Sequence, residues 1–189
     1  IKNMYLENIL PFAHHLLRGR LKNGDAALDG TAGNGHDTLL LAQCVGGGKV
    51  WAFDVQPQAL QQTRRRLEEA GVSAELICDG HEKLADYVDR PLTAAVFNFG
   101  WLPGGDKTRT TQVATSVAAL SAAVSLLEES GLLVAVLYPG HEAGFAEAQA
   151  VEEWAAALPQ QQFAVLKYVF TNRQNRPPYL LAIEKLRQK

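Results

Sequence analysis

Short apolar segments with strand character alternate along this chain with longer segments of helical spacing. This alternation constrains the fold most, because it predicts a parallel sheet with helices on both faces. Predicted strands cover residues 25–29, 49–54, 74–78, 93–98, 132–138, 163–170 and 179–184. Predicted helices cover residues 5–20, 37–43, 57–70, 82–88, 111–130 and 145–158. Since the loop 171–178 is too short for a crossover helix, we expect an α/β, doubly wound, mostly parallel seven-stranded sheet with one antiparallel strand near the C-terminus.

Size and composition favour a single cytoplasmic domain. The 189 residues fit one domain over 1–189, with an N-terminal helix in 1–22 packed on it, and 47% hydrophobic residues suffice for a core. No run approaches the roughly 20 apolar residues that span a bilayer, and the N-terminus lacks a signal-peptide pattern. Cys44 and Cys78 argue against a disulfide framework, and no His/Cys/Asp spacing suggests a metal. The net charge of −2 predicts that any nucleic acid meets a local basic patch.

A glycine-rich loop follows the first predicted strand and marks a candidate cofactor site. It runs from Asp29 to Gly35 with the sequence D-G-T-A-G-N-G, in which the glycines permit a sharp turn and a close approach to a ligand. Ligands of such sheets bind at the carboxyl ends of the strands. The second strand ends at Asp54, where a carboxylate can accept hydrogen bonds from both ribose hydroxyls of an adenosine. This frame fits a dinucleotide or S-adenosylmethionine.

The loop favours S-adenosylmethionine over a dinucleotide. The dinucleotide pattern G-x-G-x-x-G/A would run from Gly33 to Thr38, and Asp37 would place a carboxylate where the pyrophosphate should lie. S-adenosylmethionine carries a cationic sulfonium and no phosphate, so an acid near its ammonium is favourable. Its usual loop, D/E-x-G-x-G-x-G, is matched at Asp29, Gly33 and Gly35, with a threonine in place of the first glycine. Further cofactor contacts are predicted in the loops after the second and third strands, at Gln56, Asp79 and His81.

The loop after the fourth strand indicates an amine acceptor. Enzymes that methylate an exocyclic amine often carry D/N/S-P-P-aromatic here, and Asn98 and Trp101 reproduce its polar and aromatic positions. The Asn98 oxygen and a nearby carbonyl can hold the N–H groups of an amine, an aromatic ring can stack on a base, and positioning supplies most of the rate. His141, after the fifth strand, is a candidate proton acceptor. For His14 and His15, on the first helix, we expect a surface or packing role.

Small basic clusters offer a phosphate-binding rim. Lys107 lies just beyond the acceptor loop, and the loop between the last two strands carries polar and basic side chains. Those predicted to bind an RNA substrate are Asn172, Arg173, Asn175 and Arg176.

Several blocks together resemble one family over almost the whole chain, from about residue 9 to 185. These blocks are L-P-F-A-H at 10–14, G-N-G-H-D-T at 33–38, F-D-V-Q at 53–56, D-G-H at 79–81, N-F-G-W-L-P-G-G-D-K at 98–107 and the loop 172–178. They are similar to small bacterial Rossmann-like class I methyltransferases, once labelled rRNA methylases and now understood as tRNA 5-(aminomethyl)-2-thiouridine methyltransferases.

The resemblance implies a reaction and further site residues. It implies methylation of the aminomethyl group on the wobble uridine in a tRNA anticodon stem-loop, giving 5-methylaminomethyl-2-thiouridine. The positions that match the family's cofactor contacts are Asn34, His36, Asp54, Gln56 and His81. Those of the acceptor block predicted to contact substrate are Gly104, Asp106 and Lys107. Methylation of rRNA or of a small-molecule amine stays open, as does a non-catalytic module that binds S-adenosylmethionine or RNA.

Overall fold

The computed structural model describes residues 4–100 and 113–188. The strands are β1 (Ala26–Asp29), β2 (Lys49–Phe53), β3 (Glu75–Ile77), β4 (Leu92–Phe99), β5 (Leu127–Leu137), β6 (Phe163–Tyr168) and β7 (Tyr179–Lys185). The α-helices are α1 (Ile9–Arg20), α2 (His36–Val45), α3 (Pro57–Ala70), α4 (Val113–Leu126) and α5 (Glu142–Ala156), and a 3-10 helix spans His81–Asp86. Among the described helices, none is both long enough and apolar enough to cross a membrane.

The seven strands form one sheet in the order β3-β2-β1-β4-β5-β7-β6. Strands β1 to β5 pair in parallel, whereas β7 runs antiparallel to both β5 and β6. The predicted mostly parallel sheet with one antiparallel strand near the C-terminus is therefore confirmed. The order reverses at β1, which lies between β2 and β4, and this switch point is where doubly wound sheets bind ligands.

Alternate residues of the strands face two separate apolar layers. On one face, Leu28 and Phe97 pack with the 3-10 helix, α4 and α5. On the other face, Ala27 and Val96 pack with α1 and α2. Because both faces are covered, the central strands are apolar at nearly every position, as a sheet buried on both sides requires. This two-sided burial holds the carboxyl ends of β1, β2 and β4 at one edge.

The first helix begins later than its apolar pattern predicts. Asn8 precedes it in an extended conformation, and Tyr5 and Leu6 are exposed outside it. Pro11 lies in the first turn, where a missing backbone N–H costs no helical hydrogen bond. The helix packs on the sheet through buried Ala13 and Leu17, so it belongs to the same core.

The helix predicted for residues 111–130 ends at Leu126, which corrects the boundary at its C-terminal end. Strand pairing takes over there, because Leu127 aligns with Leu92 and, after an irregularity, Leu132 aligns with Ala94. Ser130 lies within β5 with a φ of 62°, in the stretch where the pairing with β4 is irregular. Helical propensity in this segment is thus overridden by contacts with β4, whose sequence distance hides them from a local pattern.

Candidate active site

A cleft with a volume of about 1310 Å³ opens at the carboxyl edge of the parallel strands. Its walls come from the loops after β1, β2, β3, β4 and β5, together with the loop between β6 and β7. Small-molecule sites usually measure roughly 300–1,000 Å³, so this cleft has room for a cofactor and part of a second reactant.

The glycine loop after β1 has a backbone that side chains would disturb. Gly33 and Gly35 have φ angles of 51° and 78°, in the left-handed region. A Cβ on Gly35 would lie 2.7 Å from the Cα of Thr63, so helix α3 leaves no space for one. Gly33 lines the cleft, whereas Gly35 is buried at the start of α2. Gly35 therefore sets the path of the loop, and Gly33 leaves the loop backbone accessible from the cleft.

Helix α3 braces this loop through two hydrogen bonds to its carbonyl groups. The Thr63 hydroxyl donates to the Gly33 carbonyl at 3.2 Å, and Arg66 Nε donates to the Asn34 carbonyl at 2.8 Å. The sequence analysis gave Arg66 no role, because its partner carbonyl lies 32 positions earlier in the chain. Arg66 is half-buried, and its hydrogen bond fixes the backbone of Asn34, which lines the cleft.

Asp54, at the end of β2, is prepared to accept further hydrogen bonds. Its Oδ2 accepts from the Gly33 N–H at 2.9 Å, and its Oδ1 accepts from the Gln56 N–H at 2.8 Å. A carboxylate oxygen accepts more than one hydrogen bond, so each keeps capacity for a hydroxyl donor. Asp54 and Gln56 both line the cleft beside the glycine loop. These acceptor oxygens fit the two hydroxyls of the ribose of an adenosine.

The loop after β3 holds a fixed carboxylate and a buried imidazole on the cleft wall. The Asp79 carboxylate accepts from Lys83 Nζ at 2.6 Å and from the Tyr87 hydroxyl at 2.9 Å, and the bond from Lys83 lowers the pKa of Asp79. Burial lowers the pKa of His81 and so favours the neutral ring, and its Nδ1 lies 3.0 Å from the Gly30 carbonyl. Since a carbonyl only accepts, Nδ1 carries the hydrogen and Nε2 can accept. His81 thus also anchors the start of the glycine loop.

Asp29 lies under the loop and has no exposed surface, so it does not line the cleft. Its oxygens accept from the Thr31 N–H at 3.0 Å and from the Thr38 hydroxyl at 2.6 Å. Burial, followed by the charge of Asp37, raises the pKa of Asp29 to about 7. The direct cofactor contact predicted for Asp29 has no accessible atom, and the observed contacts give this residue a role in shaping the loop.

The glycine loop is tied to the predicted acceptor loop by Thr31. Its hydroxyl accepts the backbone N–H of Asn98, at the end of β4, at 2.7 Å. The threonine that replaces the first glycine of the cofactor pattern thus joins the two sites. Tyr138 follows β5 on the same wall, and burial raises the pKa of its hydroxyl. Asn98 and Tyr138 both line the cleft.

His14 and Asp37 join this wall, although we expected a surface or packing role for His14. The His14 Nε2 lies 2.7 Å from Asp37 Oδ1, and Asp37 Oδ2 lies 3.5 Å from Asn98 Nδ2. Both residues line the cleft. The L-P-F-A-H block contained a signal, because its histidine stands one helical turn after Leu10, which also lines the cleft.

The other predicted residues divide into three groups by location. His36, His141, Asn175 and Arg176 line the cleft. Asn172 and Arg173 do not line it, and the Arg173 guanidinium instead stacks 4.2 Å from the ring of Phe170 and donates to the side chain of Asn8 at 3.3 Å. The predictions that lie outside the described residues are Trp101, Gly104, Asp106 and Lys107.

Three of the cleft-lining residues have constrained geometry. The Nδ1 of His141 accepts from the Gly144 N–H at 3.0 Å and so caps helix α5, which commits that nitrogen to structure. Asn175 and Arg176 both have positive φ angles, 62° and 48°, and the Arg176 guanidinium lies 4.1 Å from the ring of Phe145. Adjacent left-handed residues other than glycine are costly and often mark functional loops.

Sequence comparison identifies the family. Residues 50–184 match the family described as "Putative rRNA methylase". A chloroplastic protein of Arabidopsis thaliana named tRNA (mnm(5)s(2)U34)-methyltransferase is 34% identical over 178 residues. That alignment covers 87% of this chain and 65% of the Arabidopsis protein, so this chain spans less than two thirds of that relative's length.

Solved structures agree with the fold. A protein of Clostridium thermocellum described as a "putative rRNA-methylase" superposes with a TM-score of 0.95 at 38% identity, covering 97% of this chain and 100% of that one. A "putative methyltransferase" of Streptococcus mutans, solved in complex with S-adenosylhomocysteine, gives 0.89 at 38% identity, covering 96% and 99% of the two chains. The predicted cofactor class and fold are confirmed, and the chain belongs to the rRNA methylase family of S-adenosylmethionine-dependent class I methyltransferases.

Proposed function

We propose that this protein is an S-adenosylmethionine-dependent N-methyltransferase that acts on the aminomethyl group of 5-aminomethyl-2-thiouridine at the tRNA wobble position. The product is 5-methylaminomethyl-2-thiouridine. One observation carries the proposal: Asn98, at the end of β4, is joined through Thr31 to the glycine loop inside a cleft with room for a cofactor and part of a second reactant. The name of the Arabidopsis relative supports the wobble uridine as the target.

The cleft residues suit S-adenosylmethionine. Asp54 and Gln56 would hold the ribose, Gly33 and Asn34 would face the amino-acid end, and Asp79 would accept from the adenine amine. When bound, the cofactor supplies an electrophilic methyl group: the amine lone pair forms the new carbon–nitrogen bond, the carbon–sulfur pair stays on sulfur, and positive charge passes from sulfur to nitrogen. The protein's task is to orient the amine and exclude water.

Asn98 is the residue we assign to the acceptor amine. An amide oxygen can accept an N–H of the amine while the nitrogen lone pair stays free for the methyl group. Its backbone position is fixed by the hydrogen bond to Thr31, so less freedom is lost when the amine arrives. Positioning of this kind supplies much of the rate in group transfer.

The RNA would meet the cleft at the loop between β6 and β7. Arg176, held on the ring of Phe145, can bind a phosphate, and Asn175 can hydrogen-bond a base edge. Trp101 and Lys107 are proposed to stack on the base and bind phosphate, and Gly104 and Asp106 to complete the substrate loop. The base must leave its stack to reach Asn98, as in other enzymes that modify a base.

The test uses purified protein with S-adenosylmethionine and two anticodon stem-loops, one with 5-aminomethyl-2-thiouridine and one with 2-thiouridine. Nucleoside mass spectrometry should detect 5-methylaminomethyl-2-thiouridine only in the first RNA. No product from that RNA, together with methylation of an rRNA fragment or of a small amine, would contradict the proposed acceptor.

Two variants separate the cofactor contact from the acceptor contact. Asp54→Ala should weaken S-adenosylhomocysteine binding by about tenfold or more, since hydrogen bonds to a charged group contribute about 1.5–3 kcal/mol. Asn98→Ala should keep this affinity and lose methyl transfer. Unchanged affinity in the first variant or full activity in the second would remove the assigned role.

A further inference from the structure

A carboxylate–imidazole pair lies on the cleft wall beside Asn98. Nε2 of His14, on α1, is 2.7 Å from Oδ1 of Asp37, in the first turn of α2. The two side chains are 27% and 13% exposed, so both are shielded from bulk water and neither is sealed off. An ionised carboxylate only accepts hydrogen bonds, so Nε2 of His14 donates and orients Asp37.

The second oxygen of Asp37 is directed towards the acceptor residue. Asp37 Oδ2 lies 3.5 Å from Asn98 Nδ2, which is long for a hydrogen bond and leaves this oxygen able to accept from another donor. Among the described residues, the titratable groups that face Asp37 are His14 from α1, Asp29 from β1 and Tyr138 after β5. Any amine N–H held by Asn98 therefore lies within reach of a carboxylate.

During methyl transfer, positive charge develops on the acceptor nitrogen, beside the carboxylate of Asp37. An amine that takes a methyl group changes from a neutral to a cationic nitrogen, and a nearby carboxylate binds the cation more strongly. We propose that Asp37, oriented by His14, accepts an N–H of the acceptor amine and stabilises the positive charge that its nitrogen gains. This inference rests on the proposed function, since it requires an amine acceptor.

No residue needs to remove a proton from the amine during methyl transfer. The amine binds in its neutral form, having lost its extra proton to water, and its remaining N–H donates to Asp37 Oδ2. After transfer the nitrogen carries the charge as a secondary ammonium, which departs with the product. The N–H of the neutral amine already donates to Asp37, and the contact becomes stronger as charge develops on nitrogen, so it lowers the barrier in addition to tightening substrate binding. Asp37 is therefore a catalytic residue, and His14 is a positioning residue.

The amino-acid end of the cofactor offers a second primary ammonium that Asp37 could meet. Binding measurements distinguish the cofactor's ammonium from the acceptor amine of the RNA. S-adenosylhomocysteine carries the cofactor's ammonium and lacks the methyl group, so its affinity reports that contact alone. The contact with RNA is reported by a complex of protein, S-adenosylhomocysteine and stem-loop, in which no transfer can occur.

The experiment compares Asp37→Asn and His14→Gln with the wild type, and uses His15→Gln as a matched control. His15 lies on the same helix, 67% exposed, with its partner Glu7 outside the main cleft. Asp37→Asn should lower the single-turnover rate at saturating cofactor by about 10²–10³-fold. It should leave S-adenosylhomocysteine affinity within about threefold, and His14→Gln should lose about tenfold in rate because glutamine can still donate.

Binding provides a readout that is independent of turnover. In the presence of S-adenosylhomocysteine, the wild type should bind the stem-loop with 5-aminomethyl-2-thiouridine about tenfold or more tightly than the one with 2-thiouridine, because a hydrogen bond from the amine N–H to a charged carboxylate contributes about 1.5–3 kcal/mol. Fluorescence anisotropy should show that Asp37→Asn abolishes this preference, and that His15→Gln keeps both the preference and the rate.

Two results would overturn the inference. The first is an Asp37→Asn variant that loses S-adenosylhomocysteine affinity and retains its single-turnover rate, which would assign the carboxylate to the cofactor. The second is a variant that retains rate and preference alike. The proposed function fails separately, when the wild type itself leaves the aminomethyl RNA unmethylated.

Discussion

Replacement of Asp29 by asparagine should change how the free energy of unfolding depends on pH. The carboxyl of Asp29 is fully buried, and its pKa is raised from 3.8 to about 7, mainly by burial. The folded protein therefore keeps this proton at pH values where the unfolded chain has lost it. By linkage, the contribution of Asp29 to stability decreases as the pH rises from about 4 to about 7 and stays low above that.

The magnitude follows from the size of the shift. A shift of about three pKa units corresponds to about 4 kcal/mol in total, of which about 2–3 kcal/mol is lost between pH 5 and pH 8. Asparagine keeps an oxygen for the Thr31 N–H, and its amide can donate to the Thr38 hydroxyl, so both partners stay bonded. The variant should thus gain about 2–3 kcal/mol on the wild type over this pH interval.

Urea denaturation of both proteins at several pH values measures this difference directly. Asp79→Asn is an opposite control, since the Lys83 contact lowers the pKa of Asp79, and stability from that contact is present at neutral pH and lost as the pH falls. A difference between wild type and Asp29→Asn that stays constant from about pH 5 to about pH 8 would refute the raised pKa of Asp29.

Three further predictions concern the loops of the cleft. Gly35→Ala should destabilise the fold by more than Gly71→Ala in urea titrations, because both have positive φ but only Gly35 meets backbone, 2.7 Å from Thr63 Cα; equal losses would contradict this. Thr31→Val should lower the free energy of unfolding by about 1–3 kcal/mol, because it leaves the Asn98 N–H unpaired. Thr31→Ser keeps the hydroxyl and should be close to wild type, and a fully stable valine variant would exclude the hydrogen bond from Asn98 to Thr31. Arg176→Ala should lower RNA affinity and reduce the salt slope by about one in anisotropy titrations, whereas Arg173→Ala should leave the slope unchanged; identical slopes in the two variants would refute their separate locations.

The sheet was predictable because its signals are local. Apolar runs such as residues 93–98 and 132–138 mark strands that are covered on both faces, and the short loop 171–178 requires an antiparallel end. The predicted helix wrongly included the start of β5, because the contacts that form this part of the strand are not local. Leu127 joins β5 only because Leu92 lies beside it, a contact 35 positions away along the chain that no helical or strand period encodes.

In the candidate site too, residues with a local sequence signal were predicted, and residues whose partners lie far away in the chain were not. Gly33, Gly35 and Asp54 were identifiable because a glycine spacing and a strand-end carboxylate are readable in one stretch of sequence. Thr31 looked like an imperfect glycine position, since its partner Asn98 lies on another strand. His14 looked like a surface residue, because only the docking of α1 beside α2 brings its ring to Asp37.

The charge distribution of the cleft ties the proposed reaction to the choice of substrate. Among the described residues that line it, the carboxylates are Asp37, Asp54, Asp79 and Glu82, and the permanently cationic side chain is Arg176. Such a wall favours a cationic sulfonium and a nitrogen that becomes cationic, and it repels phosphate. RNA affinity must then come from cations away from these carboxylates, and Arg176, which lines the cleft from the β6–β7 loop, is the first candidate. A base that carries an amine can enter while its phosphates stay out, so one arrangement of charge selects the reacting group and keeps the rest of the polyanion at the rim.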